Sequence, residues 1–196
     1  MVNMLASLSV GAIIGIVVAV LVVVILIVVF ITSYNKFIKK RNKCQEAFAT
    51  MDVFMKKRYD LIPNLVECVK GYAKHEKETL SSVIEARNMA QNSGSVSEKV
   101  NNENVLTGTL KSLFALGEAY PGLKANVQFV DLQRQLQSVE DDIAKSRTYY
   151  NAIVNDFNTA IESFPNNIIA IMFKFKRMPL YEIDGTMREN VQIKFE

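Results

Sequence analysis

VGAIIGIVVAVLVVVILIVVFITSYNKFIKKRNK occupies residues 10–43. Its first 22 residues, 10–31, carry no charge, and Val and Ile dominate them. Coiled as an α-helix they span about 33 Å, against a bilayer hydrocarbon core of about 30 Å. β-branched residues suit a strand in water, but in lipid a lone segment must pair its own backbone N–H and C=O groups and is helical. A cleaved signal peptide is the rival reading. It needs a basic start, a shorter apolar core and a small-x-small cleavage site. Residues 1–9 contain no Lys or Arg, the core is too long, and Phe30-Ile31-Thr32-Ser33-Tyr34 lacks such a site. The stretch is expected to be an uncleaved anchor.

Working outward, the charge distribution breaks at the same place. Residues 1–35 hold no charged side chain, so all 23 basic and 20 acidic residues follow. The break suggests an extracytoplasmic N-terminus and anchor over 1–33, a cytoplasmic helical bundle over 34–165 and a tail over 166–196. Lys36, Lys39, Lys40, Arg41 and Lys43 crowd into eight residues directly after the span. Such a cluster is retained on the cytoplasmic side, which places the short N-terminus outside. It also meets anionic headgroups, so membrane lipid is an expected partner. Without these five, 18 basic residues face 20 acidic ones. No general basic surface is left to argue for nucleic acid.

After the anchor, apolar residues recur at steps of four and three. Phe37, Arg41, Cys44, Phe48, Met51, Met55, Arg58, Ile62, Leu65, Val69 and Tyr72 form one seam, which continues less cleanly through Thr79, Val83, Ala86 and Ala90. A second seam runs Phe129, Leu132, Leu136, Val139, Ile143, Ser146, Tyr150, Ile153, Phe157, Ala160, Phe164. Two long seams in one chain can cover each other as nearly antiparallel helices. Between them, Asn92-Ser93-Gly94 reads as a stop and Ser95-Val96-Ser97-Glu98 as a capping box. Gly117 and Tyr120-Pro121-Gly122 end the next helix, Asn126 starts the last, and Phe164-Pro165 closes it. Pro63 is ambiguous. Asp60 could cap a new helix there, but the seam passes through in phase, which favours a kinked continuous helix. The expected fold is all-α: an anchor leading into a long up-and-down antiparallel bundle, three long helices or four if the chain reverses near Pro63, with an irregular C-terminal tail. In that tail, residues 168–173 are apolar, Lys174, Lys176 and Arg177 follow, and 191–195 alternate like a strand. Docking on its own bundle is the plain expectation for the tail; subunit bridging or membrane-surface contact is the sharper one.

Several blocks closely resemble the bacterial LemA family. They are Tyr34-Asn35, Arg41-Asn42, Lys57-Arg58-Tyr59-Asp60-Leu61-Ile62-Pro63-Asn64-Leu65-Val66 and Lys70-Gly71-Tyr72-Ala73-Lys74-His75-Glu76. Glu85-Ala86-Arg87, Ala119-Tyr120-Pro121, Leu123-Lys124-Ala125-Asn126, Arg147, Tyr149-Tyr150-Asn151 and Phe164-Pro165-Asn166-Asn167-Ile168-Ile169-Ala170 complete them. The family commonly has Trp after the residue matching Ala47, and here Phe48 stands in that place. An aromatic seam residue is kept and an indole N–H is lost. The resemblance implies a bacterial membrane-anchored helical bundle with an exposed N-terminus, a cytoplasmic domain and no established enzymatic activity. A magnetosome-associated branch implies membrane organisation.

The residues offer little chemistry. His75-Glu76 lacks the second His of a zinc helix: position 79 is Thr, and His75 is the sole histidine. Cys44 and Cys68, on one helix, would lie roughly 36 Å apart, whereas a disulfide needs Cα atoms within about 7 Å. Reduced thiols are expected; a nucleophile would need a base and an orienting group, and Cys44, on the seam, has no His nearby in sequence. Glu140-Asp141-Asp142 point in different directions around a helix and read as a solvated face. Arg58 interrupts the first seam, and its guanidinium needs either solvent access, as a boundary residue with the stem packed and the head wet, or a carboxylate, near Asp60 or on another helix at Glu140 or Asp142. No catalytic group, cofactor or metal site is expected. The leading functional expectation is a self-associating membrane scaffold, a homo-oligomer. The alternative is a tethered adaptor for an unidentified protein partner.

Overall fold

A computed structural model describes residues 10–181 of the chain. Its regular elements are α1 (Val10–Lys70), α2 (Lys77–Gln91), α3 (Val96–Ala119), α4 (Pro121–Lys124), α5 (Val127–Glu162) and α6 (Asn166–Met172). No strand occurs among the described residues, and the alternating segment 191–195 lies outside them. Two compact units divide the chain. One combines Met1–Lys43 with Asp156–Arg177, the other Cys44–Asn155 with Met178–Glu196.

In the first unit, the Val, Ile and Leu side chains in the apolar stretch of α1 stay about half exposed along residues 13–31. A helix buried within its own domain would not leave such a surface open, and lipid suits it better than water. Among the described residues, α1 alone is long and apolar enough to cross a bilayer, which fits a membrane anchor. Beyond the span, Phe37 is buried against Phe175, with ring centroids 5.2 Å apart, and Lys40 pairs with Asp156. α6 ends in a tight reversal: Phe175 N–H donates to Ala170 O at 2.9 Å and Lys174 N–H to Ile171 O at 3.1 Å. Lys174 takes a φ of 57°, a place usually given to glycine. The reversal carries Phe175 onto Phe37 and Phe157.

The second unit is an up-down-up-down four-helix bundle. α2 returns along α1, placing Arg87 beside Tyr59. α3 runs with α1, matching Lys99 to Asp52 and Glu103 to Arg58. α5 runs against it, matching Glu140 to Arg58 and Ile153 to Cys44. The core is the seam residues Cys44, Met51, Met55, Ile62, Leu65 and Val69, covered by Val83, Leu106, Leu113, Phe129, Leu136 and Ile143. Each fully buried aliphatic or aromatic side chain contributes about 1.5–3 kcal/mol.

α1 passes through Pro63 unbroken, so the continuous alternative holds there. The fourth helix comes from a reversal over residues 71–76, and Val83, Ala86 and Ala90 belong to α2. The amides of Tyr72 and Ala73 both bond Val69 O, a tightened last turn that terminates α1 beside Gly71. Pro63 survives in the helix for a specific reason. It has no N–H, so the carbonyl of Tyr59, four residues back, loses its helical donor. Arg87 Nε donates to that carbonyl at 2.8 Å.

Other stops behave variously. Ser95 Oγ accepts from Glu98 N–H at 3.2 Å while the Glu98 carboxylate accepts from Gly94 N–H at 2.9 Å. Asn126 Oδ1 accepts from Phe129 N–H at 2.9 Å and so opens α5. Gly117 is no stop: α3 continues to Ala119, and Gly117 is buried where a Cβ would lie 2.9 Å from the Phe129 ring. Along α5 the buried stripe shifts from Tyr150 to Val154, Phe157 and Ile161, leaving Phe164 exposed. A straight helix at 3.6 residues per turn drifts away from a seven-residue repeat.

The Pro63–Arg87 relation is testable. Arg87→Leu is expected to cost about 1–3 kcal/mol, because it orphans a buried carbonyl. In a Pro63→Ala background, where an amide returns to residue 63, the same change is expected to cost less. Denaturant unfolding of the detergent-solubilised protein, arranged as a double-mutant cycle, reads the coupling. Strict additivity would remove the relation.

Candidate functional site

The motif residues gather in three places in the bundle unit. The first is a buried ionic cluster. Arg58 is 1% exposed and Glu103 is fully enclosed. Arg58 Nη2 donates to Glu103 and Nη1 to Glu140, so one guanidinium joins α1 to both α3 and α5. Glu103 also accepts from the Tyr59 hydroxyl. Arg147 Nη2 lies 3.8 Å from Glu103, and its guanidinium stacks on the Tyr181 ring at 4.7 Å. Two cations and two carboxylates therefore neutralise one another, with Arg58 and Glu103 enclosed and Glu140 a third exposed at the edge. Asp142 lies outside the cluster, 4.0 Å from Lys145.

Glu103 is the residue that sequence reading missed. It sits in Asn101-Asn102-Glu103-Asn104, which looks like a solvent face. The signal was its spacing: Val100, Glu103, Leu106, Leu110 and Leu113 are all buried at steps of three and four. An acid in phase with that stripe is the complement of an arginine in phase with another.

Burial is also felt by the phenols. Tyr59 is pushed up to about 12, chiefly by burial, with Arg58 opposing. Tyr181 likewise rises to about 12, chiefly by burial, with Arg147 and Arg58 opposing. Burial raises the Cys68 thiol, which disfavours the thiolate that nucleophilic chemistry needs. Cys44 is buried and donates to Ile153 O at 3.7 Å; both cysteines are thiols outside any disulfide.

The second gathering ties two turns together. Tyr120 Oη donates to Glu76 at 3.0 Å, and Asn126 Nδ2 donates to Tyr72 Oη at 2.9 Å. Pro121 opens α4, and Gly122 sits against the Tyr72 ring. His75 is exposed in the α1–α2 turn. The third gathering latches the tail. Asn151 donates to Tyr181 O at 2.9 Å and accepts from Tyr181 N–H at 2.7 Å, while Tyr150 Oη donates to Pro179 O at 2.9 Å. Phe48 stacks edge-on against Tyr150 at 5.7 Å, so it keeps an aromatic contact.

The remaining candidates stay on surfaces. Asp60 pairs with Lys56 at 3.1 Å, and Asn64 is exposed. In the first unit Lys36, Lys39 and Lys43 are exposed, Arg41 lies 5.7 Å over the Phe175 ring, and Pro165 is exposed ahead of α6. Among the described residues, no three His, Cys, Asp or Glu side chains come together as metal ligands. The facing sides of α1 and α2 bound an open groove of about 940 Å³, with Val66, Leu80, Ile84 and Met89 in its walls and Glu67, Lys70, Lys74, Lys77 and Glu85 among its polar lining.

A family model described as the LemA family matches residues 47–195. The chain is 26% identical to Protein LemA of Metamycoplasma hominis, across 80% of this chain and 72% of that protein. It is 25% identical to Magnetosome protein MamQ 2 of Paramagnetospirillum magneticum and 24% identical to Magnetosome protein MamQ of Magnetospirillum gryphiswaldense. Those two comparisons cover 76% of this chain and 64% of each relative, so the chain spans just under two thirds of the magnetosome proteins it matches.

Two outcomes are expected from the cluster. Glu103→Gln leaves Arg58 short of a charge partner and is expected to cost about 3–5 kcal/mol in denaturant unfolding. Replacing Arg58, Glu103, Glu140 and Arg147 together by Met and Leu is expected to recover most of that stability. The phenols give a pH dependence. Their folded-state values lie above the ordinary value of 10.0, so their contribution is complete below about pH 10 and is lost as pH rises toward 12. Phenolate absorbance is expected to lag for these two groups. Stability is expected to fall over the same interval, less steeply in Tyr59→Phe and Tyr181→Phe.

Proposed function

The chain belongs to the LemA family, and from that premise we propose that it is a non-enzymatic single-pass scaffold which self-associates to organise the cytoplasmic face of a bacterial membrane. The carrying observation is an unburied apolar helix followed at once by Lys36, Lys39, Lys40, Arg41 and Lys43. The cations hold the helical units on the cytoplasmic side and leave the N-terminus outside. Gly11 and Gly15 stand four apart in the span, and a Cβ at Gly15 would meet nothing, so two spans can approach closely there. The polar groups also favour a structural role. Arg58, Glu103 and Glu140 are consumed by one another, and burial raises the Cys68 thiol, which disfavours the thiolate. Relatives named as magnetosome proteins lean the same way.

The second reading is a membrane-tethered adaptor, and the α1–α2 groove favours it. Apolar walls with charged neighbours suit an amphipathic helix from a protein partner. One experiment separates the readings: the mass of the full chain extracted in mild detergent at micromolar concentration, by light scattering. The scaffold reading expects a multiple of the chain mass with no second polypeptide. A strict monomer removes it, and a stoichiometric foreign protein transfers the case to the adaptor.

A further inference from the structure

The segment from Phe164 to Phe173 has no charged residue and buries only part of its apolar surface. Ile169 and Ala170 are covered, whereas Phe164, Ile168, Ile171, Met172 and Phe173 remain 43–81% exposed. Such a patch in water calls for a cover. Within this unit the patch is continuous with the span. The Phe173 ring lies 5.6 Å from Phe30 and 4.5 Å from Tyr34, and Phe30 belongs to the last turn of the uncharged stretch. Apolar exposure on α6 therefore sits level with the end of a helix that itself needs lipid.

Charge points to the same cover. Lys174, Lys176 and Arg177 follow α6 immediately. Over residues 36–43 and 156–177 there are eight cations and two carboxylates, Asp156 and Glu162. Lys40 is matched by Asp156 and Arg177 by Glu162, which leaves six cations with no carboxylate partner among the described residues. Lys174 occupies the left-handed conformation at the helix end, where glycine would be easier. An apolar helix face bounded by unmatched cations is the pattern of a segment lying in a bilayer interface.

We infer that α6 is a second membrane contact: Ile168, Ile171 and Met172 sink into the acyl boundary of the same leaflet in which the span ends, while Lys174 and Lys176 lie among anionic headgroups. The inference rests on the anchor reading above. It makes the protein a two-point membrane binder, with a transmembrane helix and an in-plane wedge beside it.

The chain has no Trp, so single tryptophans report position without background. The full chain is reconstituted in nanodiscs of phosphatidylcholine and phosphatidylglycerol brominated near the top of the acyl chains. Three variants are compared: Val24→Trp in the span, Ile171→Trp on α6, and Val127→Trp at the far end of α5. Bromination is expected to cut Ile171→Trp emission at least about twofold, as it does Val24→Trp, and to leave Val127→Trp unchanged. Adding Lys174→Gln and Lys176→Gln is expected to lower the Ile171→Trp quenching without affecting Val24→Trp. Quenching of Val24→Trp with none at Ile171→Trp overturns the inference while sparing the anchor. Blue-shifted but unquenched Ile171→Trp emission overturns it in favour of a second copy of the chain as the cover. Absence of quenching at Val24→Trp as well would remove the anchor reading and this one together.

Discussion

A guanidinium kept from water must be matched by carboxylate, and in the bundle that requirement falls on Arg58. The side chain comes from α1, and its partners Glu103 and Glu140 come from α3 and α5. Apolar seams alone tolerate a slip of one heptad, because every rung offers similar greasy contacts. The ionic cluster does not. Moving any of the three helices by a turn would strand a charge in the core, at a cost comparable with the whole stability of a small domain. Register is thus specified by a few polar atoms, while burial of Met51, Met55, Leu65 and their neighbours supplies most of the driving force.

Around that cluster, several motif residues act by completing backbone hydrogen bonds that the sequence would otherwise leave open. Arg87 replaces the amide that Pro63 lacks. Asn126 caps the first turn of α5 and reaches Tyr72 across the turn. Asn151 offers Tyr181 both a donor and an acceptor, as a neighbouring strand would, and so fixes an extended segment without a sheet. None of these roles is catalytic. Together they describe a bundle whose helix ends and tail are held by specific polar contacts.

Much of this was legible in the residues, and the exceptions have physical reasons. The span, the first seam from Phe37 to Val69, the cap at Ser95 and the start at Asn126 follow from local rules of polarity and spacing. The reversal over residues 71–76 was harder, because Tyr72 continues the seam in phase while being exposed, and only Gly71 marks the stop. Pro63, the louder signal, breaks nothing, since its compensation lies on another helix and no local rule can see it. Gly117 read as punctuation although it makes room for Phe129. Glu103 hid among asparagines because residue type was weighed above phase. Phe164 was assigned to a seam that had already rotated away from it.

The three-way ion cluster also constrains how such a protein can diverge. No single replacement among Arg58, Glu103 and Glu140 leads to a comfortable neighbour, since each unbalances the cluster, whereas a wholly apolar set, with Arg147 replaced as well, would be tolerated. The route between those two solutions crosses a deep fitness valley. Lineages descending from this chain should therefore either keep all three residues or exchange them as a set, and mixed states should be short-lived in evolutionary time.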